Sequence, residues 1–440
     1  MASTTLTRTP SSAGNQKTWT LSAWVKNSYG GMFFCVDSYG ASKSLQSEFY
    51  QGADYFAIAQ YASGSGVWGL TTNRLFRDRN AWYHLVISVD TTQATSSDRV
   101  KIYVNGVQET SFSSETYPSL NYDTGVNSTL QHMIGNRPSS STYFDGLMTH
   151  VNFIDGTAYD ASTFGQTDAT TGIWKPKGFS GSYGTNGFFL KFENSGSMGT
   201  DSSGNGNNFT VNGTMTQTVD TPSNVFCTMN PLSRPNSNAN TFSNGNNTLS
   251  TTTLAFVPSF ATLGVNSGKW YWEAKLYGTD QKHNIGISKP QEVLNFVGTT
   301  SGSYAFDAEN ARKVNNNVFT TGYGVSSSAN DIIMIAFDAD NGSIWVGKNG
   351  TWFNSATQSE IENGTTTNAM FSSITMNDYF VPAVAIDNSS VDFNFGNGYF
   401  GTTAVSSATS DESGLGIFEY TVPSGYYALC TKNINTQEYD

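Results

Sequence analysis

The amino-acid sequence predicts an all-β protein made of two β-sandwich domains that an irregular connector joins. Alternation of apolar and polar residues with a period of two dominates the chain, and helical periodicity is nearly absent. Aromatic residues make up 14% of the chain, which favours strands and excludes a disordered protein. The length of 440 residues is too great for one ordinary domain and suits two domains of about 200 residues each.

The first domain, predicted over residues 1–213, consists of short alternating strands. Val100, Ile102 and Val104 share one face of such a strand, and the dipeptide Asn105–Gly106 then predicts a hairpin turn. Residues 82–90 read WYHLVISVD, which is apolar on both faces and suits the interior of a two-sheet sandwich.

Residues 214–253 lose this alternation and contain three prolines among many Asn and Ser residues. They predict an ordered but irregular connector with a few apolar anchors, namely Val225, Phe226 and Leu232. The second domain is predicted over residues 254–440, where alternation resumes in KWYWEAKL at 269–276. Turns at Asn341–Gly342 and Asn349–Gly350 separate its later strands.

Charge and hydropathy exclude two classes of partner. The 22 basic residues face 34 acidic ones, giving a net charge of −12, and no cluster of five basic residues occurs. A phosphate backbone would be repelled, so we expect no nucleic-acid binding. No apolar run approaches 18 residues, so we expect no membrane insertion. The N-terminal segment lacks the apolar stretch of an export signal, so we expect no classical secretion.

Two sets of stretches resemble known domain families. WTLSAWVK at 19–26, AWYHLVISVDTT at 81–92, RVKIYVNGV at 99–107, HMIGN at 132–136 and YFDGLMTHVNFIDG at 143–156 resemble a laminin-G-like, concanavalin A-like jelly roll. KWYWEAKL, HNIGI, NDIIMIAFDADNGSIWVGKNGTWF and FVPAVAIDNSSVDFNFG resemble a SPRY-like sandwich. The resemblance implies a concanavalin A-like domain followed by a SPRY-like domain over nearly the whole chain.

The order of the segments resembles virion proteins of marine tailed bacteriophages, usually described as tail-fibre or structural proteins. YDASTFGQTDATTGIWKPK, DSSGNGNNFTV and DTPSNVFCTMNPL follow one another in that order. The resemblance implies a protein made in the host cytoplasm and placed on the virion surface. Its partners would be other virion proteins of the tail or capsid and host cell-surface polysaccharide, and a trimer is expected because appendages usually follow a symmetry axis.

The role that this resemblance implies leaves three alternatives. The first is a tail-fibre or appendage adhesin for host attachment, and the absence of heptads or stalk repeats favours a short appendage over a long fibre. The second is a decoration protein of the capsid or tail that binds only neighbouring virion proteins. A cellular lectin-like protein is the third.

Catalytic constellations are missing from the sequence, so we expect no enzyme. Retaining glycosidases need two carboxyl groups about 5 Å apart, and no strand carries a run of alternating acids. Glu360 and Glu362 stand two apart but among loop residues. The four histidines show no metal-binding spacing, and the neighbours of His84 and His150 indicate structural roles.

Carbohydrate binding by a β-sandwich needs an aromatic platform beside polar groups in loops. In the first domain, Tyr61 and Trp68 flank the glycine-rich ASGSG, and Tyr143 precedes Asp145 closely. In the second domain, two aromatic residues lie in or beside predicted loops, Tyr323 and Trp352. We therefore predict these six residues as candidate ligand-binding positions.

The stretch DSSGNGN at 201–207 allows either a structural turn or a calcium loop. Asp201, Ser203 and Asn205 have the one-three-five spacing of calcium ligands, and Gly206 allows a sharp turn. The closing position of such a loop is Asn212, which carries no charge. We expect a turn that closes the first sandwich, with calcium as the possible cofactor and no other. Three distant cysteines in apolar settings predict reduced, buried thiols.

Overall fold

A computed structural model describes residues 4–37, 40–138, 141–169, 172–233, 239–278 and 282–439. Strands make up 43% of the chain and helix 6%, so the predicted all-β class is confirmed. The chain divides into two compact units, Met1–Gln217 and Thr218–Asp440. Within the described residues, no helix has the length and apolar character needed to cross a membrane.

The first unit contains fifteen described strands. They are β1 Thr5–Arg8, β2 Thr18–Val36, β3 Ser44–Phe49, β4 Tyr55–Ala62, β5 Ser65–Leu75, β6 Trp82–Asp90, β7 Val100–Val104, β8 Val107–Gln108, β9 Phe112–Thr116, β10 His132–Ile134, β11 Asp145–Asp155, β12 Gly165–Thr167, β13 Trp174–Pro176, β14 Phe188–Leu190 and β15 Thr210–Asn212.

The long strand β2 belongs to both layers of the first sandwich. Its residues 18–26 pair with β6, and its residues 31–36 pair with β3. One layer has the order β15-β1-β10-β2-β3-β4-β5-β9, and the other has the order β14-β11-β2-β6-β7-β8. At the crossing, Gly31 has φ of +114°, and a Cβ there would lie 2.1 Å from the carbonyl oxygen of Tyr143. Only glycine fits this corner, since both the backbone angle and the space exclude a side chain.

The core of the first unit follows the alternation read from the sequence. Val100, Ile102 and Val104 are buried between the layers, and Asn105–Gly106 form the hairpin turn between β7 and β8. Asn105 has φ of 49° and Gly106 has φ of 84°, as such a turn requires. The sequence thus placed this hairpin correctly.

The second unit contains eighteen described strands and two short helices. They are β16 Thr241–Ser243, β17 Thr248–Ser250, β18 Val257–Phe260, β19 Lys269–Tyr277, β20 His283–Ser288, β21 Ser303–Asp307, β22 Arg312–Asn315, β23 Val318–Thr321, β24 Ile332–Asp338, β25 Ser343–Lys348, β26 Thr351–Trp352, α1 Gln358–Glu362, β27 Val381–Ile386, β28 Ser390–Asn394, β29 Tyr399–Phe400, β30 Thr403–Ala404, β31 Thr409–Ser410, β32 Ile417–Phe418, β33 Tyr427–Ala428 and α2 Thr431–Tyr439.

Two sheets form the second sandwich, in the orders β16-β17-β28-β19-β24-β25-β26 and β18-β27-β20-β21-β22-β23. The alternation of β19 buries Trp270 and Trp272 between the sheets. Its opposite face is also covered, because Tyr271 packs edge-on against Phe418 of the C-terminal segment with ring centroids 4.9 Å apart. The sequence pattern gave no sign of this additional layer.

The predicted connector contains structure of the second unit. Strands β16 and β17 lie within residues 214–253, and β17 pairs with β28. Phe226 is buried as predicted, whereas Leu232 is 59% exposed, so its predicted role as an anchor is wrong. The exact domain limits at 213 and 253 stay predictions. All three cysteines are free and buried, which confirms the predicted thiols.

Candidate ligand-binding face

Strands β3 and β4 present a polar outer side beside the core of the first unit. Alternation points Phe49, Phe56 and Ile58 into the core. The opposite side carries the cross-strand pairs Glu48↔Ala57, Gln46↔Ala59 and Ser44↔Tyr61. Ala57 and Ala59 keep this side of the sheet low between larger side chains, whereas Ser44 and Gln46 on the same side are buried.

Tyrosine rings gather at one end of this outer side. The rings of Tyr50 and Tyr55 stack with centroids 4.5 Å apart at 29°, and Tyr50 is 38% exposed. Burial and the hydrogen-bonded Glu48 carboxylate raise the pKa of Tyr50, with smaller effects from Tyr61 and Tyr55. Glu48 and Tyr55 therefore lie beside Tyr50, whereas Tyr61 lies opposite Ser44 towards the other end of the two strands.

Tyr143 extends the same surface across β2. Met32 pairs with Glu48 on one side and forms a bridge with Tyr143 on the other, so the three residues make one row across the sheet. Asp145 pairs with Gly30 at the neighbouring corner of β2. We call the surface formed by Glu48, Tyr50, Tyr55, Tyr61 and Tyr143 the tyrosine face. Strand pairing thus places Tyr61 and Tyr143 on one side of the same sheet, although the sequence analysis treated them as separate candidates.

A guanidinium group borders the tyrosine face. Arg137, which is half-buried, donates from Nη1 to Oε1 of Gln46 at 2.6 Å. Burial raises the pKa of the neighbouring Cys35 thiol to about 12, and the positive charge of Arg137 opposes this rise. The face therefore combines aromatic rings with a carboxylate, an amide and a cation.

The other predicted aromatic residues lie in cores. Trp68 is 2% exposed on the inner side of β5, Tyr323 is 4% exposed, and Trp352 is 7% exposed. The Tyr323 hydroxyl accepts the N–H of Val346 at 3.4 Å, and Trp352 packs against Tyr271. Their burial removes these three rings from the candidate surface, because a ligand needs an exposed ring face. For Trp68, the alternation of β5 with the buried Leu70 was the available signal.

Sequence reasoning missed Tyr50, Tyr55 and Arg137. Tyr50 and Tyr55 flank a four-residue turn, QGAD, between two alternating segments. That spacing would have indicated two rings at the same end of a hairpin. Arg137 offers no comparable signal, since it pairs with Gln46 across 91 positions of the chain.

The DSSGNGN segment forms a turn centred on Asp201. The Asp201 carboxylate accepts the N–H groups of Phe189, Ser203 and Asn207 at 2.8 to 2.9 Å, and the Ser203 hydroxyl at 2.8 Å. The Asn205 amide donates to two backbone carbonyls. Donors thus converge on the carboxylate, whereas calcium requires converging oxygen lone pairs.

A positive charge next to this turn also disfavours calcium. Arg8 donates to Asn207 and interacts electrostatically with Asp201. Among the described residues, no group of three or more His, Cys, Asp and Glu side chains could hold a metal ion. The geometry suits the turn better than the ion, and calcium at Asp201, Ser203 and Asn205 stays an untested prediction.

His84 lies in an aromatic stack on the outer side of β6. Its ring is stacked on Trp24 with centroids 4.8 Å apart, and its Nδ1 accepts the indole N–H of Trp174 at 3.0 Å. Because an indole only donates, the neutral imidazole carries its proton on Nε2, which then donates to the Ser22 hydroxyl at 2.9 Å. Burial lowers the pKa of His84 to about 3, with a smaller contribution from His150.

Comparisons with known proteins agree with the two sandwiches. Residues 2–162 match a laminin G model described as the concanavalin A-like lectin/glucanases superfamily, and residues 269–398 match the SPRY domain model. The chain has a concanavalin A-like domain followed by a SPRY domain. Both kinds of domain are typically binding modules.

The comparison with curated proteins found no match. Among solved structures, the SPRY domain of human HERC1 is similar to part of this chain. The two are 20% identical, the match covers 38% of this chain and 96% of that domain, and the TM-score is 0.31.

Proposed function

We propose that the protein is a non-enzymatic surface protein of a phage virion, a tail-fibre or appendage adhesin that binds a host-surface glycan or receptor. The tyrosine face is the observation that carries the binding role. It offers partly exposed rings beside a carboxylate, an amide and a guanidinium.

This combination suits a sugar. The apolar face of a pyranose ring packs on an aromatic ring, and its hydroxyls pair with planar polar side chains at the edge. Tyr50 supplies the most exposed ring, and Ala57 and Ala59 leave space beside it. Glu48 accepts hydrogen bonds and Arg137 donates them, so both kinds of hydroxyl contact are available.

Several side chains with catalytic potential have structural partners, which supports a non-enzymatic role. His84 donates to Ser22 and cannot take its proton, since its other nitrogen accepts from Trp174. Glu360 closes a capping box with Thr357 at the start of α1. Structural roles alone therefore explain the positions of the His84 and Glu360 side chains.

The phage assignment is supported by the order of segments in the sequence, together with the pairing of a concanavalin A-like domain and a SPRY domain. As an appendage protein it would contact other virion proteins and would form a trimer about a symmetry axis.

An apolar surface in the second unit favours a second candidate, a decoration protein that binds neighbouring virion proteins. The rings of Phe256, Phe296 and Phe319 form a chain with centroid distances of 5.9 and 5.6 Å. Phe319 is 41% exposed and Val318 is 61% exposed on the edge strand β23. Aromatic and apolar groups of this kind are enriched in protein interfaces.

Binding of the full-length chain to purified surface polysaccharides of candidate host bacteria tests the adhesin role. We expect Tyr50→Ala and Tyr61→Ala each to weaken binding by about tenfold or more, since each removes a stacking surface. Tyr379→Ala is the matched control, because Tyr379 is 48% exposed in the second unit and should leave binding unchanged.

Three results would contradict parts of this proposal. Full binding by both first-unit variants would exclude the tyrosine face, and release of sugar fragments from any bound polysaccharide would exclude the non-enzymatic role. Cryo-microscopy of the virion decides the location, because a place on the capsid lattice would favour decoration over adhesion.

A further inference from the structure

We propose that the sugar bound by the tyrosine face carries a carboxylate, and that Arg137 binds this carboxylate. The inference rests on the proposed function of the same face and names the chemical class of its ligand. Arg137, which has no ion pair among the described residues, and the unpaired donors of Gln46 and Ser44 carry it.

The Arg137 guanidinium has no ion-pair partner among the residues that the structure describes. Its Nη1 donates to Gln46 Oε1 at 2.6 Å. A guanidinium has five N–H donors and stays charged at all relevant pH values. Donors of Arg137 therefore remain for an external acceptor, and a carboxylate matches their forked geometry best.

Buried donors beside Arg137 strengthen this conclusion. Gln46 is 7% exposed, and its Nε2 has no acceptor. Because arginine only donates, Gln46 must turn its Oε1 towards Arg137, and Nε2 remains as an unused donor. Ser44 is fully buried, and its hydroxyl also lacks a partner.

These groups share one side of β3 with the tyrosine face. Ser44, Gln46 and Glu48 stand two positions apart along β3 and therefore share one side of it, and Ser44 lies opposite Tyr61 in the register. Unpaired buried donors cost stability, so a site of this kind gains most from an acceptor-rich ligand. An oxyanion next to a sugar ring matches both the Arg137 guanidinium and the aromatic surface.

The charge of the whole protein sharpens the prediction. With a net charge of −12, the chain repels an acidic glycan at long range. A preference for the acidic form over a neutral analogue must therefore come from a local contact, and Arg137 is the cation that borders the face.

The experiment uses the full-length chain and four sugar acids, namely glucuronate, galacturonate, mannuronate and N-acetylneuraminate, each with its methyl ester as the neutral analogue. Binding is measured by saturation-transfer NMR and titration calorimetry. We expect at least one acid to bind about tenfold more tightly than its ester, since the ester loses the charge-assisted hydrogen bonds. Arg137→Gln should abolish this preference, whereas Tyr50→Ala should weaken the acid and the ester alike.

Equal binding of every acid and its ester would overturn the inference and leave the proposed glycan role standing. Failure of all eight sugars to bind would also overturn the inference, whereas binding of surface polysaccharides by the full-length chain decides the proposed glycan role separately. If Arg137→Gln fails to fold, Arg137→Lys replaces it, because lysine keeps the charge but lacks the planar fork. That variant should weaken acid binding several-fold without affecting the ester, and unchanged acid binding would again overturn the inference.

Discussion

Acid should destabilise the first unit through the histidine that lies between two tryptophans. His84 has no exposed surface, and burial lowers its pKa from 6.5 to about 3. A group with a lowered folded-state pKa contributes stability above its unfolded pKa and loses it as pH falls towards the folded value. The window for His84 therefore runs from pH 6.5 down to about pH 3. Within it, His84 is protonated in the unfolded chain but stays neutral in the folded chain.

The size of the effect follows from the two pKa values. At about pH 5 the unfolded histidine is protonated and the folded one is not, so folding loses about 2 kcal/mol relative to neutral pH. His132, whose pKa burial lowers to about 4, adds a similar loss. Its Nε2 accepts the N–H of Asn127 at 2.9 Å, so protonation would break that bond. Together the two histidines should remove about 4 kcal/mol between pH 7 and pH 5.

Urea unfolding at several pH values, followed by tryptophan fluorescence, measures this loss. His84→Gln should lower stability at pH 7 but flatten the pH dependence below pH 6.5 by about 1.4 kcal/mol per pH unit. Ile87→Val, a buried change on the same strand, should lower stability equally at all pH values. A wild-type slope in the His84→Gln variant would refute the assignment of His84 as a neutral buried residue.

Three further predictions concern buried groups. Burial raises the pKa of Glu273 from 4.5 to about 7, so the second unit should lose up to about 3 kcal/mol as pH rises through this range. Glu273→Gln should abolish that loss in urea titrations, and an unchanged slope would contradict it. Asp201→Asn should cost roughly 3 kcal/mol because it leaves donors of the turn unpaired, and calcium should not alter the melting temperature of either protein. A calcium-dependent rise confined to the wild type would restore the metal site. Gly31→Ala should cost about 3 kcal/mol or more in thermal unfolding, whereas Gly52→Ala, at a φ of +75° in open space, should cost less.

The predicted ligand-binding residues show how far sequence reasoning reached. Tyr61 and Tyr143 were chosen as aromatics next to polar loops, and both lie on the tyrosine face. Trp68 was chosen by the same rule and lies in the core. The rule fails here because a loop-flanking aromatic can point to either side of the sheet, and only the register of β4 and β5 decides which.

The all-β class, the two sandwiches and the hairpin at Asn105–Gly106 are determined by the sequence itself. Alternation with a period of two and turn residues with positive φ act over a few neighbouring positions, so they can be read without the fold. The tyrosine face and the Arg137–Gln46 contact join residues far apart in the chain, and only the crossing of β2 between the layers brings them together. The covering of Tyr271 by Phe418 depends on long-range packing in the same way. Local chemistry therefore specifies the strands, whereas the surface proposed to bind ligand exists only once strand pairing fixes which side chains share a face.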